Sequence, residues 1–216
     1  MQSFLFDNGE RCLPQVGNTA SSSSELELLA EKAKECQNCT LAETRLNVVF
    51  GEGNPFAGVA IIGEAPGAEE NASGRPFVGR SGQLLDTILK AAGFSRQEVY
   101  ICNILKCRPP GNRNPLQGEI ESCMPWLLGQ LQIVKPKVIL ILGKVAANTI
   151  FDNKLSLGAM RGKVTRWKEF DCFITYHPAA LLRNPEWKKG CWEDIQLMMG
   201  HYEKLCGKKS AAEHEH

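Results

Sequence analysis

The sequence has no long apolar run, few aromatic residues and almost no net charge. None of its 216 residues lies in a stretch approaching the roughly 18 apolar residues of a membrane span, and no basic start with an apolar core marks a signal peptide. Lys and Arg number 25 against 24 Asp and Glu, so any nucleic-acid-binding surface must be local. Hydrophobic residues make up 43%, which suits one globular domain. We expect a cytoplasmic protein without a membrane partner.

Cysteine, by contrast, is abundant, with nine in the chain. Cys36 and Cys39 form a CxxC pair, a spacing at which two thiolates from one turn bind the same metal ion or cluster. Cys107 in a Pro-rich loop and Cys123 in a predicted helix complete a four-thiolate set. Without a secretory signal, such a set favours metal binding over disulfides. Buried structural thiols are the alternative, and spacing alone does not distinguish zinc from an iron–sulfur cluster.

Strand and helix patterns alternate four times along the chain, which predicts an α/β fold. The expected architecture is a three-layer α/β/α sandwich with a central, mostly parallel four-stranded sheet and right-handed crossovers. Segments 46–50 and 163–167 are candidate edge strands. The predicted organisation is a flexible extension (1–24), one domain (25–207) and a tail (208–216), with a first helix capped by Ser24. The four central strands are predicted at 59–62, 98–102, 136–143 and 172–176.

Polar residues follow three of these strands. Glu64, Asn103 and His177 each lie where a predicted strand ends. The carboxyl ends of parallel strands open on one edge of a sheet, where α/β folds bind ligands, so we expect these side chains to share one crevice. The long loop after the first strand adds Glu70 and Phe77.

Four motifs resemble those of the family 4 uracil-DNA glycosylases, the iron–sulfur branch of the uracil-DNA glycosylase superfamily. The cysteine spacing matches as well, and the resemblance covers about residues 25–205. The motifs are GEAPG at 63–67, GRPFVGR at 74–80, NILKCRPPGNR at 103–113 and HPAALLR at 177–183.

The resemblance implies a monofunctional glycosylase that removes uracil from DNA during base excision repair of deaminated cytosine. Its partners would be single- or double-stranded uracil-containing DNA and free uracil, the product, and we expect a monomer acting on the chromosome. The resemblance also implies a 4Fe–4S cluster on Cys36, Cys39, Cys107 and Cys123.

The side chains suit this chemistry. A base flipped out of the stack needs a stacking face, which Phe77 supplies, and a polar reader, for which the amide of Asn103 matches uracil O4 and N3–H. His177 is the predicted donor to O2, where negative charge grows. Glu64 and Glu70 are the candidate carboxylates for orienting water or stabilising the sugar cation. The predicted uracil-binding set is Gly63, Glu64, Ala65, Phe77, Asn103 and His177.

Two positions depart from the family 1 pattern. Ala65 replaces the aspartate that handles water in that family, and Gly67 replaces the tyrosine that excludes the methyl group of thymine. We expect Glu70 or the loop backbone to take over the exclusion of thymine.

DNA contacts are predicted from residues beside the site motifs. Arg108, Arg113 and Lys106 are expected to contact phosphates, together with Arg183. Either Leu181 or Leu182 is the candidate wedge for the gap left by the flipped base, with the helix core as the alternative. Two other functions are a non-catalytic metal-containing DNA-binding module and a sister activity that bonds covalently to abasic DNA through a histidine. Residues 108–114 contain no histidine, which argues against the latter.

Overall fold

The computed structural model describes residues 19–207, which are organised around a six-stranded mixed sheet. The strand order is β1-β3-β2-β4-β6-β5. The central neighbours pair in parallel, and each edge strand is antiparallel to its neighbour. The strands are β1 (Glu52–Gly53), β2 (Val59–Gly63), β3 (Tyr100–Asn103), β4 (Val138–Leu142), β5 (Val164–Trp167) and β6 (Phe170–Thr175).

The predicted count of four strands is wrong, because a short strand extends each edge of the predicted sheet. The prediction of an edge strand within 163–167 is confirmed by β5. Segment 46–50 forms no strand, and the other edge strand is β1 instead. Strand β1 has only two residues, paired as Glu52 with Ile101 and Gly53 with Tyr100. So short an element has no periodicity of its own, and only its pairing with β3 defines it.

Helices flank the sheet. Within residues 19–207, no helix is both long and apolar enough to cross a bilayer. Single turns of 3₁₀ helix occur at Thr40–Glu43, Arg96–Glu98, Pro110–Asn112 and Pro185–Trp187. The helices are α1 (Thr19–Lys34), α2 (Ala68–Ser73), α3 (Arg80–Ala91), α4 (Gln117–Val134), α5 (Lys144–Phe151), α6 (Leu157–Met160), α7 (Pro178–Arg183) and α8 (Lys188–Leu205).

The sheet separates two apolar cores, because successive side chains of a strand point to opposite faces. In β4, Val138 and Leu140 join one core, whereas Ile139 and Ile141 join the other. The first core includes buried residues of α3, α7 and α8, and the second those of α4 and α5. Burial on both faces explains the unbroken apolar sequence of β4.

The first helix starts earlier than the sequence predicts. Helix α1 begins at Thr19 and includes Ser24, which was predicted to cap the helix from within a flexible segment. The serines at 21–24 thus extend the helix by more than one turn. Residues 1–18 and 208–216, which contain the rest of the predicted extension and the whole of the predicted tail, lie outside the described residues.

The chain reverses direction across the sheet at β2. From β2 it passes to β3 on one side, and from β3 it crosses to β4 on the other side. Crevices form at the carboxyl ends of strands where the order reverses in this way. The register aligns Gly63 with Asn103 and Leu142 with Thr175, so the strand ends meet at one edge.

Candidate active site

A crevice of about 490 Å³ opens at this edge of the sheet. It contains all three strand-end residues that the sequence predicted to converge, and Glu70 and Phe77 line it as well. The convergence of the strand ends is therefore confirmed. Its lining is Glu64, Ala65, Pro66, Gly67, Glu70, Phe77, Ser81, Asn103, Pro109, Asn112, Arg113, Asn114, Leu142, Gly143, Lys144, Val145, His177, Ala179, Ala180 and Arg183.

Asn103 presents an unused acceptor in this crevice. The residue is buried, and its Oδ1 has no hydrogen-bond partner within the described part of the chain. A buried amide oxygen without a partner is costly, so its presence points to a ligand that donates a hydrogen bond. Gly63 makes room for it, since a Cβ there would lie 2.3 Å from Oδ1 of Asn103 and 2.6 Å from Cζ of Phe77.

His177 lies beside Phe77, with ring centroids 5.6 Å apart. It caps α7, and its Nδ1 accepts a hydrogen bond from the backbone N–H of Ala179 at 3.1 Å. Nδ1 is therefore unprotonated, and Nε2 carries the proton of the neutral ring. Burial and the nearby Arg183 lower the pKa of His177 to about 4, against an opposing effect of Glu70. At neutral pH the residue is thus an uncharged donor.

The two candidate carboxylates have different surroundings. Oε1 of Glu70 accepts from the N–H groups of Val78 and Gly79, at 2.9 and 3.0 Å, and Oε2 accepts from that of Gly67 at 3.1 Å. Within residues 19–207, the carboxylate of Glu64 makes no such hydrogen bond or ion pair, and burial raises its pKa. Glu70 is held by the loops it joins, whereas Glu64 is available to a ligand.

The environment of Gly67 explains why this position has no side chain. A Cβ at Gly67 would lie 2.7 Å from Oε2 of Glu70, so a tyrosine here would displace the carboxylate. The two departures from the family 1 pattern both lie in the crevice lining, since Ala65 is there too.

The loop after β3 contains three of the four basic residues that the sequence predicts to contact DNA, and the fourth, Arg183, ends α7. Arg113 forms a two-point ion pair with Glu119, at 2.9 and 2.5 Å, and also lines the crevice. Arg108 donates to Asn112 at 2.7 Å. The expectation that Lys106 contacts phosphates is wrong, because it is only 2% exposed.

The Nζ of Lys106 instead donates to the backbone oxygen of Asn103 and to Oε1 of Gln130, both at 2.6 Å. Gln130 in turn donates to Tyr100 and to the backbone oxygen of Phe50. The buried amine therefore fixes the backbone at the end of β3, where Asn103 lines the crevice.

Helix α7 separates the two leucines that the sequence left as alternatives. Leu181 is 1% exposed and packs in the core, whereas Leu182 is 39% exposed. Leu182 also lines a groove continuous with the crevice, together with Arg80, Asn112 and Arg183. Of the two leucines, only Leu182 is exposed enough to contact a ligand without disturbing the core.

The four predicted metal-binding cysteines share a second, smaller cavity. Cys36, Cys39, Cys107 and Cys123 all line it, although they come from three separate parts of the chain. Burial raises the pKa of the Cys107 thiol, and that of Cys123 to about 11. Arg45 opposes the rise in the pKa of Cys107, and Lys106 opposes the rise in the pKa of Cys123.

Hydrogen-bond donors surround the cavity. Arg45 donates from Nη1 to Sγ of Cys107 at 3.7 Å, and the backbone N–H of Lys106 donates to Sγ of Cys123 at 3.2 Å. Trp126 also lines the cavity, and its Nε1 is buried with no partner within residues 19–207. No carboxylate is among the cavity's described lining residues. Such surroundings suit a negatively charged group.

The four cysteines share this cavity without forming a preassembled metal site. Within residues 19–207, no group of three or more His, Cys, Asp or Glu side chains is already close enough to hold a metal ion. Four thiolates suit either a zinc ion or an iron–sulfur cluster.

Sequence reasoning missed some of the lining. Gly143, Lys144 and Val145 follow β4 and also line the crevice. The expectation that residues following a buried parallel strand line the crevice applies equally to β4, so the sequence could have predicted these three residues. Arg45 lies in a turn far from Cys107 in the sequence, and no local pattern marks it.

Comparison with known proteins places the chain in a family. The family model for the uracil DNA glycosylase superfamily matches residues 50–196. The chain is similar to a type-4 uracil-DNA glycosylase of Pyrobaculum aerophilum, with 41% identity over 184 residues, 82% of this chain and 94% of that protein. It is also similar to a type-4 uracil-DNA glycosylase of Thermotoga maritima, with 43% identity over 175 residues, 79% of this chain and 91% of that protein.

A type-5 uracil-DNA glycosylase of Pyrobaculum aerophilum is more distant, with 30% identity over 146 residues, 60% of this chain and 64% of that protein. The superfamily match covers well over half of this chain, and the type-4 relatives match across most of their own length. The chain therefore belongs to the uracil-DNA glycosylase superfamily, in its type-4 branch.

Proposed function

We propose that this enzyme flips uracil from DNA into the crevice at the ends of β2, β3 and β6, and hydrolyses its N-glycosidic bond. The products are free uracil and an abasic site, which begins base excision repair of deaminated cytosine. The observation that carries this assignment is the buried Oδ1 of Asn103, which has no partner within the described residues and lies in the crevice that Phe77 and His177 also line. A flat ligand with a hydrogen-bond donor on its edge matches that arrangement.

Asn103 accounts for the choice of base. If Oδ1 accepts from N3–H of uracil, the amide NH₂ faces O4 as a donor. Cytosine presents an acceptor at N3 and a donor at its amino group, so both contacts would have the wrong polarity. Gly63 and Lys106 fix the position of Asn103, by leaving space for the side chain and by holding the backbone oxygen. Discrimination follows because a mismatched base would leave buried polar groups unsatisfied.

His177 stabilises the leaving base. As the glycosidic bond breaks, its electron pair moves to the uracil ring and negative charge grows on O2. The neutral ring of His177 offers Nε2–H as a donor, held in orientation by the N–H of Ala179 at Nδ1. A preorganised donor at a developing oxyanion contributes roughly 3–4 kcal/mol.

Glu64 is the carboxylate that we assign to the sugar side of the reaction. It lines the crevice and makes no contact within the described residues that would occupy its oxygens, whereas Glu70 already accepts three backbone N–H groups. Glu64 would stabilise the positive charge of the sugar or orient the attacking water. We assign Glu70 to holding the loops around Gly67 and Gly79.

DNA would lie across the groove beside the crevice. Leu182 would fill the gap left by the flipped base, and Arg183 would contact a phosphate. Arg108 and Arg113 would add contacts on the other side. Because the net charge of the chain is only +1, such local contacts would supply the affinity for both single- and double-stranded DNA. The enzyme would act on the chromosome as a cytoplasmic monomer.

The four-cysteine cavity would hold a 4Fe–4S cluster on Cys36, Cys39, Cys107 and Cys123. The shared cavity, the cationic Arg45, the backbone N–H of Lys106 and the Nε1 of Trp126, which has no partner within the described residues, support this proposal. A cluster with four thiolates is anionic, and its sulfur atoms accept hydrogen bonds. Its role would be structural, because Cys107 begins the loop that leads to Arg108 and Arg113.

Two measurements test the assignment. Release of uracil from a single-stranded uracil-containing oligonucleotide, with a cytosine oligonucleotide as the control, separates a glycosylase from a DNA-binding module without activity. Iron content and a visible absorption band of the purified protein test the cluster, since zinc is colourless. A protein that binds DNA but releases no uracil would overturn the catalytic proposal and leave the cluster proposal standing.

A further inference from the structure

The proposed stacking residue, Phe77, has an unusual backbone. Its φ is +51°, in the left-handed region that an aromatic residue rarely occupies. Such a conformation costs of order 1–3 kcal/mol and persists only where the surroundings enforce it. Because Phe77 is buried beside His177 at the crevice, whatever enforces this backbone also sets the position of the ring.

Arg96 contacts this backbone directly. Its Nη2 donates to the carbonyl of Pro76 at 2.6 Å, and its Nη1 donates to the carbonyl of Phe77 at 3.1 Å. Two adjacent carbonyls are thus bound by one planar guanidinium. A lysine has no second donor held at a fixed angle, so it could not reproduce both contacts.

Arg96 is itself held in place. Glu52 accepts from its Nε at 2.8 Å, and Asp86 accepts from its Nη1 at 2.7 Å. The side chain is only 16% exposed. Its position is thus determined by β1 on one side and α3 on the other, and the guanidinium is a rigid support.

The next residues of the loop are restrained from another direction. Glu70 accepts from the N–H groups of Val78 and Gly79. Gly82 permits close approach of the loop, because a Cβ there would lie 1.9 Å from the carbonyl oxygen of Phe77. The segment 76–79 is therefore bound through its carbonyls by Arg96 and through its N–H groups by Glu70.

We infer that Arg96 is a positioning residue for uracil binding, which acts through the backbone of Phe77 without touching the base. The inference rests on the proposed function, in which Phe77 stacks on the flipped uracil. It also explains β1: this two-residue strand supplies Glu52, which orients Arg96. The ion pairs of Arg96 would then serve the site in addition to stabilising the fold.

The chain offers a matched control. Arg75 also pairs with Glu52, at 2.8 Å, but its side chain is 63% exposed and it donates to neither carbonyl. Arg75→Gln should lose a surface ion pair and leave uracil binding unchanged. Arg96→Gln should lose the support of Phe77. Arg96→Lys retains the positive charge next to Glu52 and Asp86 but loses the paired guanidinium donors that bind the two carbonyls. It therefore serves as a second variant in case Arg96→Gln does not fold.

The decisive experiment is a double-mutant cycle with Phe77→Ala. The measured quantities are the inhibition constant of free uracil and the single-turnover excision rate on a single-stranded oligonucleotide, at a temperature where thermal melts show every variant folded. Stacking predicts a loss of about 5- to 150-fold for Phe77→Ala. We expect Arg96→Gln and Arg96→Lys to weaken uracil binding by about 10-fold within that range, and Arg75→Gln by less than about twofold.

In the Phe77→Ala background, Arg96→Gln should have almost no further effect on uracil binding, although it still lowers the melting temperature. An equal effect with and without Phe77 would overturn the inference and make Arg96 a purely structural residue. Arg96 variants that bind uracil as tightly as Arg75→Gln would do the same. A wild-type protein that releases no uracil would instead refute the proposed function, so the two failures are distinguishable.

Discussion

Replacement of His177 by alanine isolates the contribution of one hydrogen-bond donor to the reaction. His177 is neutral at physiological pH, and its Nε2–H is the donor that the proposed function assigns to uracil O2. The interaction strengthens as the base becomes an anion, so its loss should affect the transition state far more than the bound substrate. Removal of a single oxyanion donor slows chemistry by about 100- to 1000-fold. We expect a loss of that size.

The assay is single-turnover excision with enzyme in excess over an end-labelled uracil oligonucleotide, with alkaline cleavage of the abasic product. Affinity for the same oligonucleotide is measured in parallel and should change little. His201→Ala is the control, because His201 pairs with Asp171 at 2.8 Å and is absent from the crevice lining. His177→Gln tests whether an amide donor restores part of the rate.

The result that would refute this reasoning is a retained rate with collapsed affinity, which would make His177 a DNA-contact residue. The pH dependence provides a second check. With a pKa of about 4, His177 does not change charge between pH 6 and 8. A wild-type rate that followed a group of pKa near 6.5, and lost that dependence in the alanine variant, would contradict the neutral-donor assignment.

Three further predictions follow from the same geometry. Asn103→Asp replaces an amide that both donates and accepts with a carboxylate that only accepts, so uracil excision should fall below about 1% of wild type with a weak gain on cytosine; full activity on uracil would show that Asn103 points elsewhere. Cys107→Ser should reduce iron content and folding yield and weaken DNA binding, and a folded variant with unchanged affinity for DNA would exclude a role for the cluster in ordering the loop. Because the pKa of His177 is lowered to about 4 in the folded protein, the unfolded chain binds a proton at this residue between about pH 6.5 and 4 that the folded protein does not. The free energy of unfolding should therefore fall by about 3 kcal/mol as the pH falls through this interval. Urea unfolding should show that His177→Gln lacks this part of the pH dependence, and an unfolding free energy that falls equally with pH in both proteins would contradict it.

Local sequence was enough to predict the centre of the sheet and the residues at its edge. The sequence of a buried parallel strand is an unbroken apolar run, and the polar residue that follows the run marks the end of the strand. That rule alone predicted Glu64, Asn103 and His177 in one crevice, and the CxxC pair pointed to the cysteine cavity. These predictions depended on periodicity and spacing, which are properties of short segments.

Only the tertiary structure separated residues of the same type by role. Two carboxylates in one loop looked equivalent, but the N–H groups of Val78 and Gly79 engage Glu70 and leave Glu64 free. Adjacent Leu181 and Leu182 differ because they occupy different faces of α7. The path of the loop around Glu70 and the packing of α7 against the core decide these differences, and neither is visible as a local sequence pattern.

Arg96 and Lys106 show the same dependence most clearly. In the sequence they are ordinary basic residues, and Lys106 was assigned to DNA on that ground. In the structure, Arg96 binds a loop 20 residues away and Lys106 binds Gln130, 24 residues away. A side chain's function in such cases is set by which backbone groups the packing leaves within hydrogen-bond distance. That information arises when the sheet and helices assemble, because the contact partners do not exist as neighbours before then.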